Sequence, residues 1–299
     1  MPKLHRPRKA VILAGGFGTR LTEETVLKPK PMVEIGEHPI LWHIMKIYAH
    51  HGINDFVICL GYKGNYIKEY FTSYLWQRSS ITVDIRKGEI TPHDIAPEPW
   101  KVSLVDTGND VPTGERLRRV RDYLDEDAPF CLTYGDGVSD IDISASIDFH
   151  LNHGKLATIA AVVPPGRFGA LRIGDGETVT NFDEKPMGDG GMINGGFMVM
   201  SPGVFDYLEG EPAMLEQGPL VKMAHDNQLM AYKHRGFWQP MDTLRDLNHL
   251  QQLWASGNAP WKIWETPEYD MDYAVKQLAK FESLMGTDNK DSVKKRGKS

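Results

Sequence analysis

The sequence predicts an α/β fold on a central mixed, mainly parallel sheet. Three observations predict it: short β-rich runs alternate with helical periodicity in the first half, the first such run ends in glycines, and strand-like runs crowd together in the second half. The chain has 299 residues, 41% hydrophobic and 25% charged, enough for a full core in one large domain or about two ordinary ones. Disorder of the whole chain is thereby excluded.

In chain order, Ala10–Leu13 is an apolar run of the buried-strand type. Ile40, Ile44, Ile47 and Tyr48 then recur at helical spacing, Gly52 closes that helix in the C′ position, and Phe56–Leu60 is the second strand of a βαβ unit. Tyr66, Ile67, Tyr70, Phe71 and Tyr74 give another apolar helical stripe. Ile81–Ile85 reads as a strand, Leu117, Val120 and Leu124 as a helix, and Phe130–Tyr134 as a strand ending at Gly135-Asp136-Gly137. In the second half Ala157–Val163, Ala170–Ile173, Val179–Phe182 and Phe197–Met200 are strands at short spacing, which predicts an antiparallel portion beside the parallel one. A helix near Leu220–Asp226 and a strand near Leu229–His234 follow. Thr243–Trp254 then places Leu244, Leu247, Leu250 and Trp254 on one helical face. Beyond Glu265 the composition changes: Met271–Met285 reads as one more amphipathic helix, and Gly286–Ser299, with five Lys/Arg against two Asp, as a mobile basic end.

Charge and cysteine usage narrow the function classes. With 34 Lys+Arg against 40 Asp+Glu the net charge is −6, so nothing draws the chain as a whole to nucleic acid or to an anionic membrane. Cys59 and Cys131 lie far apart without CxxC spacing, which argues against a disulfide scaffold or a zinc knuckle and fits a reducing cytoplasm. No run of about 18 apolar residues occurs, so neither a membrane span nor a signal peptide is expected.

The segment Leu13-Ala14-Gly15-Gly16-Phe17-Gly18-Thr19-Arg20 follows the first strand and reads as a polyphosphate cradle. Glycines let backbone N–H groups approach phosphate, and Arg20 can fork onto its oxygens. The dinucleotide fingerprint fails for want of a third glycine, and the Walker A loop for want of Gly-Lys-Ser/Thr. Lys28-Pro29-Lys30-Pro31-Met32 holds lysines on a stiffened loop, where Lys30 can neutralise charge during phosphoryl transfer. Asp136 and Asp242 stand at strand ends, and such a pair suffices for Mg²⁺, which takes one or two carboxylates plus water and phosphate oxygens. Each feature has a bland counterpart: a glycine turn with a surface arginine, a solvated Lys-Pro connection, turn or cap aspartates. Glu184-Lys185-Pro186 and Ile193-Asn194-Gly195-Gly196-Phe197 are weaker candidates for a second, hydroxyl-rich anionic ligand. His50 and His51 read as a helix end. His150 and His153 lack a third metal ligand, and the tryptophans of Trp254–Trp264 read as packing or interface.

Taken together, Leu13–Leu21 with Lys28–Met32, Tyr134–Gly137, Pro165–Leu171, Glu184–Pro186, Ile193–Phe197 and Phe237–Thr243 resemble the sugar-phosphate nucleotidylyltransferase family, in that family's order, from about Lys9 to Glu265. The resemblance implies a Rossmann-like nucleotidyltransferase fold with an added sugar-binding portion, a catalytic domain over residues 9–265, and a C-terminal extension over 266–299. It implies transfer of CMP from CTP to α-D-glucose 1-phosphate, giving CDP-glucose and pyrophosphate for deoxysugar and surface-polysaccharide synthesis. By the same implication Leu13–Arg20, Thr113, Gly114, Arg116 and Gly135 surround the nucleotide, and Arg20 and Lys30 contact its phosphates. Asp136 and Asp242 hold Mg²⁺, while Gly169, Glu184, Lys185 and Asn194 bind the sugar phosphate. Relatives of this kind form oligomers, so a homo-oligomer is expected. Two readings stay open beside it: the same chemistry with UTP or dTTP on a related hexose 1-phosphate, and a non-catalytic sugar-nucleotide sensor.

Overall fold

The computed structural model describes residues 5–16, 21, 25, 28–93, 98–165, 170–173, 179–183 and 191–264. Of these, 5–68 with 100–264 form one compact unit and 69–93 with 98–99 a second.

Apolar runs with nothing to satisfy their backbone except one another become the strands of a seven-stranded sheet. The first unit begins with β1 (Lys9–Leu13), a short hairpin of β2 (Glu34–Ile35) and β3 (His38–Pro39), then α1 (Ile40–His50) and β4 (Asp55–Leu60). Helix α2 (Gly64–Gln77) leads to a separate two-stranded hairpin of β5 (Ser80–Asp84) and β6 (Glu89–His93). The chain returns as β7 (Lys101–Asp106), α3 (Thr113–Arg119), β8 (Phe130–Tyr134), β9 (Gly137–Ser139), α4 (Ile143–His153) and β10 (Ala157–Val162). A hairpin of β11 (Ala170–Ile173) and β12 (Val179–Asp183), then β13 (Ile193–Met200), α5 (Pro219–His225), β14 (Leu229–His234), β15 (Trp238–Pro240) and α6 (Leu244–Ala255) complete it.

The sheet order is β14-β10-β13-β8-β1-β4-β7. Strands β8, β1, β4 and β7 run parallel, as do β10 and β14, and β13 lies antiparallel between β8 and β10. The expected mixed, mainly parallel sheet is therefore present, and a single reversed strand makes it mixed. Side-chain alternation divides the core. Val11, Leu13, Val57, Phe130 and Leu132 join Leu117 of α3 and Leu220 and Met223 of α5 on one face. Ala10, Ile12, Phe56 and Ile58, all fully buried, belong to the other face, where Tyr48 of α1 stacks on Phe197 with ring centroids 6.0 Å apart.

Several elements differ from expectation for identifiable reasons. Helix α1 is buried on every side from Ile40 to Tyr48, because Trp254, Trp261 and Trp264 cover the face that its apolar stripe leaves over. The tryptophan packing read from the sequence is thus a lid on α1. The alternating run at Ile81–Ile85 is a strand, but it pairs with β6 in the second unit and not with the central sheet. The expected helix through Leu124 stops at Arg119 and tightens into a 3₁₀ turn at Arg121–Tyr123, with Leu117 and Val120 still fully buried. On α6, Leu247 and Leu250 are buried while Leu244, in the first turn, is 40% exposed. His150 and His153 hydrogen-bond Thr158 at 2.9 and 2.7 Å, and His150 also Ser201, so both imidazoles are used in packing α4 on the sheet. The stretch Met271–Ser299 lies outside the described residues. Among those residues no helix is long and apolar enough to cross a membrane.

Candidate active site

Loops leaving the carboxyl ends of β1, β7 and β8 line a pocket of about 610 Å³, where open α/β sheets place their ligands. Leu13–Gly16, Lys30, Asn109–Thr113, Arg116, Tyr134–Asp136 and Asp242 all reach it.

Short backbone ladders bring three of these side chains to one point. Strand β9 turns back after β8 and pairs with β15, Val138 opposite Gln239 and Gly137 opposite Pro240, and the Met241 N–H donates to the Asp136 carbonyl at 2.8 Å. Asp136 and Asp242 therefore flank the same end of one ladder. Asp242 is then fixed by the start of α6, whose Asp246 Oδ2 accepts from the backbone N–H groups of Asp242 and Thr243 at 3.1 and 2.9 Å, in a capping box with Thr243. Lys30 enters from the opposite side. Pro29 and Pro31 hold it in one 3₁₀ turn, Lys30–Met32, and Lys30 itself is only 9% exposed.

The Lys30 Nζ donates to Asp136 Oδ2 and to Asp242 Oδ1, both at 2.7 Å. Burial disfavours the ammonium, but the two carboxylates together outweigh it and hold the Lys30 pKa above the ordinary lysine value. Two carboxylates focused on one cation suit a divalent ion equally well. No group of three or more His, Cys, Asp or Glu side chains is gathered among the described residues, so further ligands would be water and phosphate oxygens, the usual magnesium arrangement.

Arg116 lines the pocket, with its guanidinium engaged by backbone carbonyls and one hydroxyl. Its Nη1 donates to Leu60 O, Thr107 Oγ1 and Gly108 O at 3.1, 2.8 and 2.7 Å, and its Nη2 to Gly15 O and Asn109 O at 3.1 and 2.9 Å. The buried guanidinium thus ties the β1 loop to the ends of β4 and β7. It also explains Gly15, since a Cβ there would lie 2.2 Å from Arg116 Nη1. Thr113 lines the pocket, whereas Gly114 faces away and donates its N–H to Ala213 O at 3.2 Å. Gly135 lies against Pro31 and donates its N–H to Leu13 O at 3.0 Å, joining the two loops. Asn194 is exposed at the start of β13, with its Oδ1 accepting from the Gly196 N–H at 2.8 Å. Phe17, Gly18, Thr19, Arg20, Gly169, Glu184 and Lys185 lie outside the described residues.

Sequence reasoning missed Glu216, Met214, Asn109 and Asp246. The first three sit in irregular loops with no motif, while Thr243-x-x-Asp246 before an apolar helix carries a readable capping signal.

Residues 9–255 match the Nucleotidyl transferase family. The chain belongs to that family. It is 58% identical over 257 residues to glucose-1-phosphate cytidylyltransferase of Salmonella typhimurium, covering 86% of this chain and 100% of that one. Mannose-1-phosphate guanyltransferase of Saccharomyces cerevisiae is 29% identical over 246 residues, covering 79% of this chain and 63% of the yeast protein. Among solved structures, HddC from Yersinia pseudotuberculosis complexed with GMP-PN superposes with a TM-score of 0.59 at 23% identity, over 83% of this chain and 99% of that one. That likeness supports the Rossmann-like nucleotidyltransferase fold.

Proposed function

We propose that this protein is a glucose-1-phosphate cytidylyltransferase, transferring CMP from CTP to α-D-glucose 1-phosphate with release of pyrophosphate. The observation that carries the chemistry is the convergence of Lys30, Asp136 and Asp242 at 2.7 Å in a strand-end pocket. The 58% identity over the full length of a cytidylyltransferase, against 29% to a guanyltransferase, carries the choice of CTP.

Nucleotidyl transfer to a phosphate needs no general base, because the nucleophile is already an anion. A sugar-phosphate oxygen attacks the α-phosphorus in line, the bond to the β-phosphate oxygen breaks, and pyrophosphate departs with the electron pair. The obstacle is repulsion between two polyanions, so fixed positive charge is the main requirement. In this reading Leu13–Gly16 and the rest of the glycine loop seat the triphosphate, with Gly135 beside it. Lys30 and Arg20 neutralise its oxygens. Asp136 and Asp242 would hold Mg²⁺, which when bound offsets phosphate charge. Arg116 supports the Gly15 carbonyl from beneath, and Thr113 and Gly114 open the helix beside the base. Gly169, Glu184, Lys185 and Asn194 receive the hexose phosphate. The catalytic region spans residues 9–265, residues 266–299 are an extension, and the enzyme works in the cytoplasm as a homo-oligomer.

The test is pyrophosphate release from glucose 1-phosphate with Mg²⁺, run in parallel with CTP, UTP, dTTP, ATP and GTP. Release with CTP at least about tenfold faster than with the others is expected. Preference for another nucleotide overturns the base assignment, and silence with all five overturns the reaction.

A further inference from the structure

Glu216, at the centre of a hydrogen-bond chain in the pocket wall, has no role in the chemistry above. Glu216, on the loop before α5, accepts from two hydroxyls: from Thr113 Oγ1 at 2.8 Å through one carboxylate oxygen, and from the Tyr134 phenol through the other. Thr113 Oγ1 in turn accepts from the Leu215 N–H at 2.9 Å. The Asn194 side chain hydrogen-bonds the same Tyr134 phenol while its Oδ1 holds the Gly196 N–H. Gly196 has φ +79°, and a Cβ there would fall 2.6 Å from the Tyr134 ring, so the phenol rests against bare backbone.

Thr113 is the first residue of α3 and Tyr134 the last of β8, and both line the pocket. One carboxylate thus links the helix start on the nucleotide side to the strand end, and through it to Asn194. A carboxylate only accepts, so each hydroxyl spends its proton on Glu216 and offers a ligand nothing but lone pairs. A ligand group meeting either oxygen must donate, as an amino group or a sugar hydroxyl does and a carbonyl cannot. Burial and the neighbouring Glu216 push the Tyr134 pKa well up, which keeps that proton in place.

We infer that Glu216 is a positioning residue that couples the nucleotide side of the pocket, at Thr113, to the hexose-phosphate side, at Tyr134 and Asn194. The inference rests on the proposed transferase reading. A ligand that orders one hydroxyl orders the carboxylate and hence the other hydroxyl, so the two substrates bind cooperatively.

The experiment compares wild-type and Glu216→Gln enzymes, using the nucleotide that the wild-type turns over. Calorimetry measures the affinity for a non-reacting analogue of that nucleotide, with and without glucose 1-phosphate. Gln is isosteric but accepts through one atom and donates through the other, so one hydroxyl must turn round. In the wild-type, glucose 1-phosphate should tighten nucleotide binding about fivefold or more, and in Glu216→Gln that factor should fall to about one. Both KM values should rise with kcat changed less, and melting should shift by no more than a few degrees. Thr113→Val should abolish the same coupling, and the double variant should be no worse than either single one. Coupling retained in Glu216→Gln, coupling absent from the wild-type, or additive losses in the double variant would each overturn the inference. Failure of the transferase reading shows separately, as a wild-type enzyme that turns over no nucleotide.

Discussion

Lys30 lies between two carboxylates that hold its ammonium in place by two hydrogen bonds. In the proposed reaction that ammonium stands preorganised where phosphate charge develops, so Lys30→Ala should lower turnover by roughly 10²–10³, the scale for losing one fixed electrostatic group. Steady-state kinetics on a variant with unchanged melting checks this, and a rate within threefold of wild-type contradicts it. For the carboxylates the expected phenotype differs: Asp136→Asn and Asp242→Asn should each raise the Mg²⁺ concentration for half-maximal activity by about tenfold or more, because a neutral amide binds the cation poorly. A titration that superposes on wild-type would remove them from the metal site. The chemical types at these positions were legible in the sequence, since Lys-Pro and strand-end Asp signals are local. Glu216 was not, nor was the way Arg116, which the resemblance placed beside the nucleotide, spends its guanidinium on backbone carbonyls, because their partners, Tyr134 and Gly15 among them, come from distant loops that only the fold brings near.

At the scale of elements, the start of α6 does two jobs. Its capping box stabilises the helix and its Asp246 fixes the backbone of Asp242. Asp246→Ala should therefore lower the melting temperature by a few degrees, from about 1 kcal/mol of lost capping, and also raise the Mg²⁺ requirement roughly tenfold. Thr243→Ser keeps the cap hydroxyl and should do neither. Melting curves and metal titrations on the same preparations separate the two effects, and a stability loss without a change in metal requirement would show that Asp242 is placed by other contacts. The central strands were legible as elements because their apolar runs leave little alternative. Strand β7 was not: Lys-Val-Ser-Leu-Val-Asp is a half-buried edge strand that no apolar run announces. The alternation of Ile81–Ile85 marks a strand but cannot name its partner, which is why its place outside the central sheet appears only in three dimensions.

For the whole molecule, pH acts on stability through buried imidazoles. Burial lowers the pKa of both His43 and His150 to about 4, and at His150 the neighbouring His153 adds repulsion in the same direction. His43 Nε2 meets Ile35 O at 2.9 Å while Trp261 Nε1 donates to its Nδ1 at 3.3 Å. Because the unfolded chain takes up these protons near pH 6.5 and the folded one only near pH 4, stability is full above about pH 6.5 and falls as the pH drops through that window. The loss approaches roughly 3 kcal/mol per histidine at the bottom of the window. Thermal melts between pH 7 and 5 should show the decline, and His43→Gln, which can satisfy both bonds without titrating, should make it shallower by the share of that one histidine. A pH-independent melting temperature in the wild-type contradicts this account.

The claim that unites these scales is that the strand-end pocket joins CTP to glucose 1-phosphate. Phosphorus NMR of the two substrates with the purified protein and Mg²⁺ tests it most directly. The CTP and sugar-phosphate signals should be replaced together by the paired resonances of a nucleoside diphosphate sugar and by pyrophosphate, in equal amounts. Pyrophosphate accompanied by CMP in place of the sugar nucleotide, or a spectrum that does not change, would contradict it.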